Sequence, residues 1–262
     1  MFPTVKLFNH LVISFYGLFV AVGIFTALLL FYKTAKFRNI NSNSLINFGF
    51  ILIILGIIGS RVFYVIFHWP EFREHSWFNL VAFWRGGLMF QGGFLVALSL
   101  SPLLLNLFGL KFWATADVVA PSLALGQGIG RIGCFFAGCC YGTVTSAGNP
   151  LSVVFPGNSL APANVHLWPS QLFESAGLIL LFIFLLISLK KNKQTMYYGL
   201  ISSYYLCGTG VLRFVVDFFR DDDRGVKLFG FPPTSIIAIS IFIVGIILLI
   251  DFNSRYKNII KL

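Results

Sequence analysis

The stretch "GRIGCFFAGCCYG", Gly130 to Gly142, gathers an arginine and three of the chain's four cysteines into thirteen residues. Four kinds of chemistry compete for it: a metal site, a disulfide, a nucleophile and plain packing. Structural zinc sites repeat a C-x2-C spacing, usually with histidine nearby. Cys134, Cys139 and Cys140 are instead separated by four residues and by none, so no metal is expected. The adjacent pair Cys139/Cys140 is awkward geometry for a mutual bridge, although a disulfide stays open if the motif faces an oxidising compartment. A catalytic thiol needs an activating base, and no histidine lies close in sequence. Small apolar packing residues are the reading the pattern favours.

The arginine is costlier, because the chain around it is so apolar. Of 262 residues, 57% are hydrophobic and 11% charged, and the mean hydropathy is +0.85. Soluble domains carry about 25% charged residues, so an all-α integral membrane protein is expected. Apolar runs long enough to span a bilayer recur seven times, at 11–31, 45–67, 90–108, 112–132, 172–189, 197–216 and 234–250. The first is too long for a signal-peptide core and no clean A-x-A site follows it, so it is read as an anchor.

Lysine and arginine in the connections set the orientation. Lys33/Lys36/Arg38, Lys111, Lys190/Lys191/Lys193 and Arg255/Lys257/Lys261 alternate to one side. The opposite connections are mixed or neutral: Glu71/Arg73/Glu74, a nearly uncharged 133–168, and 220–227 with three aspartates. This pattern predicts seven transmembrane helices, an extracytoplasmic N-terminus and a cytoplasmic C-terminus. The net charge of +10 is then a topology signal and no nucleic-acid footprint. A single polytopic domain over 1–262 is expected, with residues 133–170 as an ordered outer loop or short strand pair.

With directions assigned, each polar residue acquires a depth. Arg61 lies 16 residues beyond Leu45, roughly 24 Å up its helix. Arg131, Arg213 and Asp217 fall at outer ends, and Tyr16, Gln91, Gln171 and Glu174 near outer starts. Asp117 is the exception, near the cytoplasmic end of the fourth span. Ionisable residues within spans are costly and face a cavity or a partner, and headgroup-level snorkelling competes for each one singly. Taken together, three arginines against two carboxylates leave a positive surplus that suits an anion. Guanidinium binds phosphate bidentately, and a phospholipid headgroup is the phosphate such a layer would meet. "GIGRIG", Gly128 to Gly133, matches G-x-G-x-x-G, but it ends a membrane span and follows no strand, which excludes a dinucleotide site.

At these residues the sequence resembles the bacterial prolipoprotein diacylglyceryl transferase family. "GRIGCFFAGCCYG" is similar to its signature GRIGN-F-x-N-G-E with a following YG. "FYGLFVAVG" (Phe15–Gly23), "GSRVFYVIF" (Gly59–Phe67), "WRGGLMFQGG" (Trp84–Gly93), "PSQLFES" (Pro169–Ser175) and "RFVVDFFR" (Arg213–Arg220) resemble further family motifs, in family order. The resemblance implies transfer of diacylglycerol from phosphatidylglycerol to the lipobox cysteine of a prolipoprotein signal peptide, with no cofactor and release of glycerol phosphate. It implies that Arg131 holds the phosphate and that Arg213 is the essential late arginine. Arg61 and Arg220 would add charge, Glu174, Asp217 and Gln171 would orient, and Tyr16 would hydrogen-bond at the site.

Departures accompany the match. Gln91 stands where the family carries a histidine, and glutamine takes no proton at neutral pH. Cys134 and Ala137 replace asparagines, Cys139 a glutamate, Trp168 a histidine and Asp217 a glutamate. A relative acting on another lipid or acceptor with its own thiols, an anion or lipid transporter, and a membrane thiol oxidoreductase are the alternatives.

Overall fold

A computed structural model describes residues 4–7, 11–72, 78–81, 87–192, 198–220 and 231–260. Elements run in the order β1 (Thr4–Leu7), β2 (Leu11–Ser14), α1 (Phe15–Thr34), a 3-10 turn (Ala35–Arg38), α2 (Ser42–Phe67), α3 (Trp69–Phe72), α4 (Phe78–Val81), α5 (Phe90–Leu107), α6 (Phe112–Ala137), β3 (Val153–Val154), β4 (His166–Leu167), α7 (Ser170–Lys191), α8 (Leu200–Asp217) and α9 (Pro233–Ile260). Each of the seven apolar runs coincides with a helix. Among the described residues, five helices are long and apolar enough to cross a membrane, and Gln91–Leu107 is a shorter apolar one. Their outward faces carry bare Phe25, Ile58, Leu180 and Ile247, as lipid-facing helices do, so the chain is a multi-pass membrane protein. Lys193, Arg73, Glu74, Lys261, the 221–227 stretch and Trp84 of the fourth motif lie outside the described residues.

The first helix starts later than the apolar run suggests. Residues 11–14 pair antiparallel with Thr4–Leu7, Leu7 opposite Leu11 and Thr4 opposite Ser14. β-branched Val12 and Ile13 favour extended backbone, and a strand satisfies their peptide groups before the helix takes over.

The chain divides into two compact units, 39–115 and the remainder. In the smaller unit α2 and α5 meet through glycines. A Cβ on Gly93 would lie 2.5 Å from the Gly56 carbonyl oxygen, and one on Gly92 would clash with the Phe63 ring. Without water to drive apolar burial, such backbone approach is what associates membrane helices.

In the larger unit α1 crosses α6 the same way, where a Cβ on Gly23 would come within 2.8 Å of the Gly126 carbonyl oxygen. Ala120, Ala124, Leu185, Leu189 and Ile201 form its apolar core between α6, α7 and α8. At the lower end of that core, Asp117 is fully buried and accepts from Arg38 Nη2 (3.0 Å), the Gly199 and Ser202 amides (2.9 Å each) and Ser202 Oγ (3.2 Å). Arg38 Nη1 also donates to the Asn192 carbonyl at 2.9 Å. One ion pair thus ties together the ends of α1, α7 and α8. The acid sits at a helix N-terminus and the base beside C-terminal carbonyls, as the helix dipoles favour.

The outer connection is ordered. β3 and β4 pair antiparallel, with Val153 opposite Leu167. Phe155, Ala161 and Leu167 form a small core packed by Phe135, Tyr141, Val153 and Val165. Its base is sewn to the bundle by Gly142 N–H to Trp168 O (3.0 Å) and Thr143 N–H to Phe219 O (2.7 Å). Only glycine fits at 142, because a Cβ would meet both the Trp168 and Phe219 carbonyl oxygens within 2.6 Å. That explains the YG after the cysteines.

Candidate active site

The larger unit brings most of the candidate residues into one network. Glu174, on the first turns of α7, is nearly buried and lies between two arginines. Arg131 Nη2 from α6 reaches its Oε1 at 3.0 Å, and Arg213 Nη1 from α8 spans both oxygens at 3.1 and 3.0 Å. Arg213 Nε lies 3.7 Å from Asp217, four residues on along the same helix. Asp217 Oδ2 in turn accepts from Thr234 Oγ1 (2.7 Å) and Ser235 Oγ (2.8 Å) at the start of α9. Helical spacing dictates the Arg213–Asp217 pairing, since residues four apart share a face, while the other contacts join different helices.

The electrostatics are uneven. Arg131 and Arg213 keep 24% and 22% of their side-chain surface open, while Glu174 keeps 9%. The carboxylate is spent on holding the guanidiniums, which carry more N–H donors than it can accept. Arg220 is buried beside this group, its backbone bridged to Gly142. Among the described residues the group sets three guanidiniums against two carboxylates, an excess of positive charge.

The thiols adjoin the network. Arg131 and Cys134 are three residues apart on α6, and Gln171 and Glu174 three apart on α7, so the two helix faces meet twice. Glu174 takes Arg131, and Gln171 Nε2 donates to the Cys139 carbonyl at 2.7 Å. Ser170 Oγ donates to the Cys140 carbonyl at 2.8 Å, and Ser175 Oγ to Gly128 O at 2.8 Å. The helix ends over Cys139 N–H to Cys134 O (3.2 Å), Gly138 at φ 74° and Cys140 at φ 58°. All four cysteines are free thiols, and the Sγ atoms of Cys134, Cys139 and Cys140 lie within 4.8 Å of one another. Hydrogen bonds from Cys134 and Cys139, helped by Arg220 and Arg131, hold the Cys140 thiol below its usual range.

Tyr16 opens α1, 45% exposed, and its backbone packs on Gly133, where a Cβ would meet the Tyr16 carbonyl oxygen at 3.2 Å. Trp168, at the family's histidine position, packs in a tilted and edge-to-face aromatic trio with Phe173 and Phe219, ring centroids 5.8 to 5.9 Å apart. Arg61 and Gln91 belong to the smaller unit. There Arg61 Nε donates to Leu80 O and Nη1 to Gly87 O, both at 2.9 Å, with its guanidinium over Tyr64 and Phe72. It closes an apolar cleft of about 600 Å³ lined by Ile54, Ile57, Ile58, Val62 and Val65. Gln91 is exposed on the first turn of α5.

The hydroxyl residues Ser170, Ser175, Thr234 and Ser235 escape a reading by charge. Ser170 and Ser175 lie within about one helical turn of Glu174, whereas Thr234 and Ser235 signal only by opening α9 after Pro232 and Pro233.

The prolipoprotein diacylglyceryl transferase family model matches residues 3–251. A phosphatidylglycerol–prolipoprotein diacylglyceryl transferase 2 of Clostridium perfringens is 38% identical over 243 residues, covering 91% of this chain and 90% of that relative. The phosphatidylglycerol–prolipoprotein diacylglyceryl transferases of Clostridium tetani and Finegoldia magna are 34% and 32% identical, over 80% and 95% of this chain and 82% and 94% of their own.

Proposed function

Since the chain belongs to the prolipoprotein diacylglyceryl transferase family, we propose that it is the enzyme the names of its relatives describe, moving a diacylglyceryl group from phosphatidylglycerol to a prolipoprotein cysteine. The observation that carries the site assignment is the Arg131–Glu174–Arg213 cluster, rigidly held yet a quarter open and net positive. The lipobox sulfur forms a bond to the terminal glyceryl carbon. The C–O bond to phosphate breaks, and glycerol phosphate leaves with one more negative charge than the diester carried. Donors fixed where that charge grows stabilise the transition state without reorganising. Arg131 and Arg213 take the phosphate oxygens, Glu174 and Asp217 fix their planes, and Arg220 adds positive potential. Tyr16 offers a hydrogen bond to the headgroup, and Gln171 fixes the backbone of Cys139.

We further infer a single polytopic domain of seven spans in the bacterial inner membrane. Residues 133–170 would form an extracytoplasmic head, and the site would face the outer leaflet, where phosphatidylglycerol and signal peptides both arrive. The one-sided lysine and arginine loops support this. A fluorescent protein fused to the C-terminus should glow, and an alkaline phosphatase inserted at 146–150 should be active. The reverse pattern would invert the topology.

Purified protein, phosphatidylglycerol and a lipobox peptide test the reaction. Thioether peptide and stoichiometric glycerol phosphate are expected, with nothing from a peptide whose cysteine is serine. Movement of labelled anion across proteoliposomes without glycerol phosphate release would point to a transporter instead.

A further inference from the structure

Three thiols within 4.8 Å of one another, one helical turn from the arginine cluster, are more than packing requires. Cys140 holds a left-handed backbone at φ 58°, a conformation that costs a non-glycine residue about 1–2 kcal/mol. Strain of this kind persists where the surroundings impose it and marks functional positions. Here the surroundings are specific. Ser170 and Gln171 each grip a carbonyl of the Cys139–Cys140 pair, and Cys139 N–H closes on Cys134 O. The result turns the two adjacent side chains, and that of Cys134 on the helix end, toward one point.

That point matches a soft cation. Zinc–thiolate bonds of about 2.3 Å place sulfurs about 3.8 Å apart in a tetrahedron, so the three Sγ atoms need to close by roughly an ångström at most. Three thiolates and Zn2+ carry one net negative charge, which Arg131 and Arg220 offset. Three protein ligands leave the fourth position open, the arrangement of catalytic and not structural zinc. Gln171 supplies a supporting group: it is 1% exposed, and its Oε1 has no hydrogen-bond partner among the described residues while its Nε2 holds Cys139.

We propose that Cys134, Cys139 and Cys140 form a three-thiolate seat for Zn2+, whose open fourth position takes the lipobox cysteine of the substrate as thiolate. The inference rests on the transferase reading and fills its main gap, the absence of a base at Gln91. A metal-bound thiol gives up its proton outright, and here the proton goes to water. The bound sulfur then forms the C–S bond to the glyceryl carbon as the C–O bond breaks, and the electron pair departs on the phosphate oxygen toward Arg131 and Arg213. The resulting thioether, neutral and a weaker ligand, leaves the zinc.

The test uses the full chain in detergent with zinc and cobalt as probes. Wild type should hold one equivalent of Zn2+, and its Co2+ form should show sulfur-to-metal charge-transfer absorption. Both should vanish in Cys139→Ser and Cys140→Ser and persist in Cys207→Ser. Wild type alone guards against misfolding: zinc should protect three of four thiols from N-ethylmaleimide. Gln171→Leu should weaken zinc by about 10–100-fold, as lost supporting contacts do. Adding lipobox peptide should shift the cobalt bands, and the serine peptide should not. Equal labelling of all four thiols with and without zinc overturns the seat, and unshifted bands overturn the fourth-ligand role. Undiminished thioether formation after chelation to zinc-free protein sinks the inference and leaves the transferase reading standing. Zinc bound at the three cysteines with no thioether formed sinks that reading and leaves the seat.

Discussion

Two ion-pair clusters sit on α6 fourteen residues apart, roughly 21 Å along the helix, and they use the same side chains to opposite ends. Asp117 and Arg38 retain 0% and 1% of their side-chain surface, one acid to one base, with four hydrogen bonds on the carboxylate. Among the described residues, Arg131, Arg213 and Arg220 stand three bases to two acids, Glu174 and Asp217, with Arg131 and Arg213 a quarter open. A closed, balanced pair holds helix ends together and has nothing left to offer a ligand. An open one with more bases than acids is held by its acids and keeps part of its guanidinium surface exposed. Exposure and charge balance therefore separate scaffold from site where residue type does not.

The separation breaks most visibly at Asp117. Asp117→Ala strands Arg38 in the core and removes the acceptor for the first turn of α8, and breaking such a pair costs about 3–5 kcal/mol. Thermal unfolding in detergent should show that loss, while turnover per folded molecule stays at the wild-type value. Turnover that collapses with the melting temperature unchanged would make the lower cluster functional.

Arg131→Ala should do the reverse. Glu174 keeps its two bonds to Arg213, so no buried charge is left unpaired and the melting temperature should barely move. Removing one donor from a developing oxyanion costs about 100- to 1,000-fold in turnover, which glycerol phosphate release measures. Arg213→Lys is milder. The charge stays, but one charge-assisted hydrogen bond of about 1.5 kcal/mol goes, and with it about tenfold in rate. Loss equal to that of Arg213→Ala would mean that planar bidentate geometry, and not charge, is what Arg213 supplies.

Much of this contrast is legible in the chain. Each of the seven apolar runs overlaps a helix, because an apolar segment away from water must bond its backbone to itself, and five of the described helices are long and apolar enough to cross a membrane. Asp117 stands out as misplaced, yet Arg38 reads only as a loop cation. Nothing local says that the turn after α1 folds back under α6 to within 3.0 Å. The strand at 11–14 is hidden because three apolar residues and a serine flanking a helix have no periodicity of their own. The thiols mislead for a related reason. A C-x4-C-C spacing looks wrong for a metal, and only the left-handed turn at Gly138 and Cys140 converts it into three converging sulfurs.

The smallest effect sharpens the comparison at its edge, where Asp217 belongs to the open cluster but is nearly as buried as the closed one. Thr234 and Ser235 both donate to its Oδ2, at 2.7 and 2.8 Å. Ser235→Ala or Thr234→Val alone leaves the other donor in place and should cost about 1 kcal/mol of stability. Together they strip that oxygen of both hydroxyls in a site too buried for water to replace them freely. The double variant should therefore exceed the sum of the singles by at least about 0.5 kcal/mol, the range for residues in one network. Its turnover should also fall further than that of either single, because Asp217 is then less firmly held beside Arg213 Nε. An additive cycle would mean that Asp217 is anchored from elsewhere, and that the start of α9 plays no part in aiming the arginine.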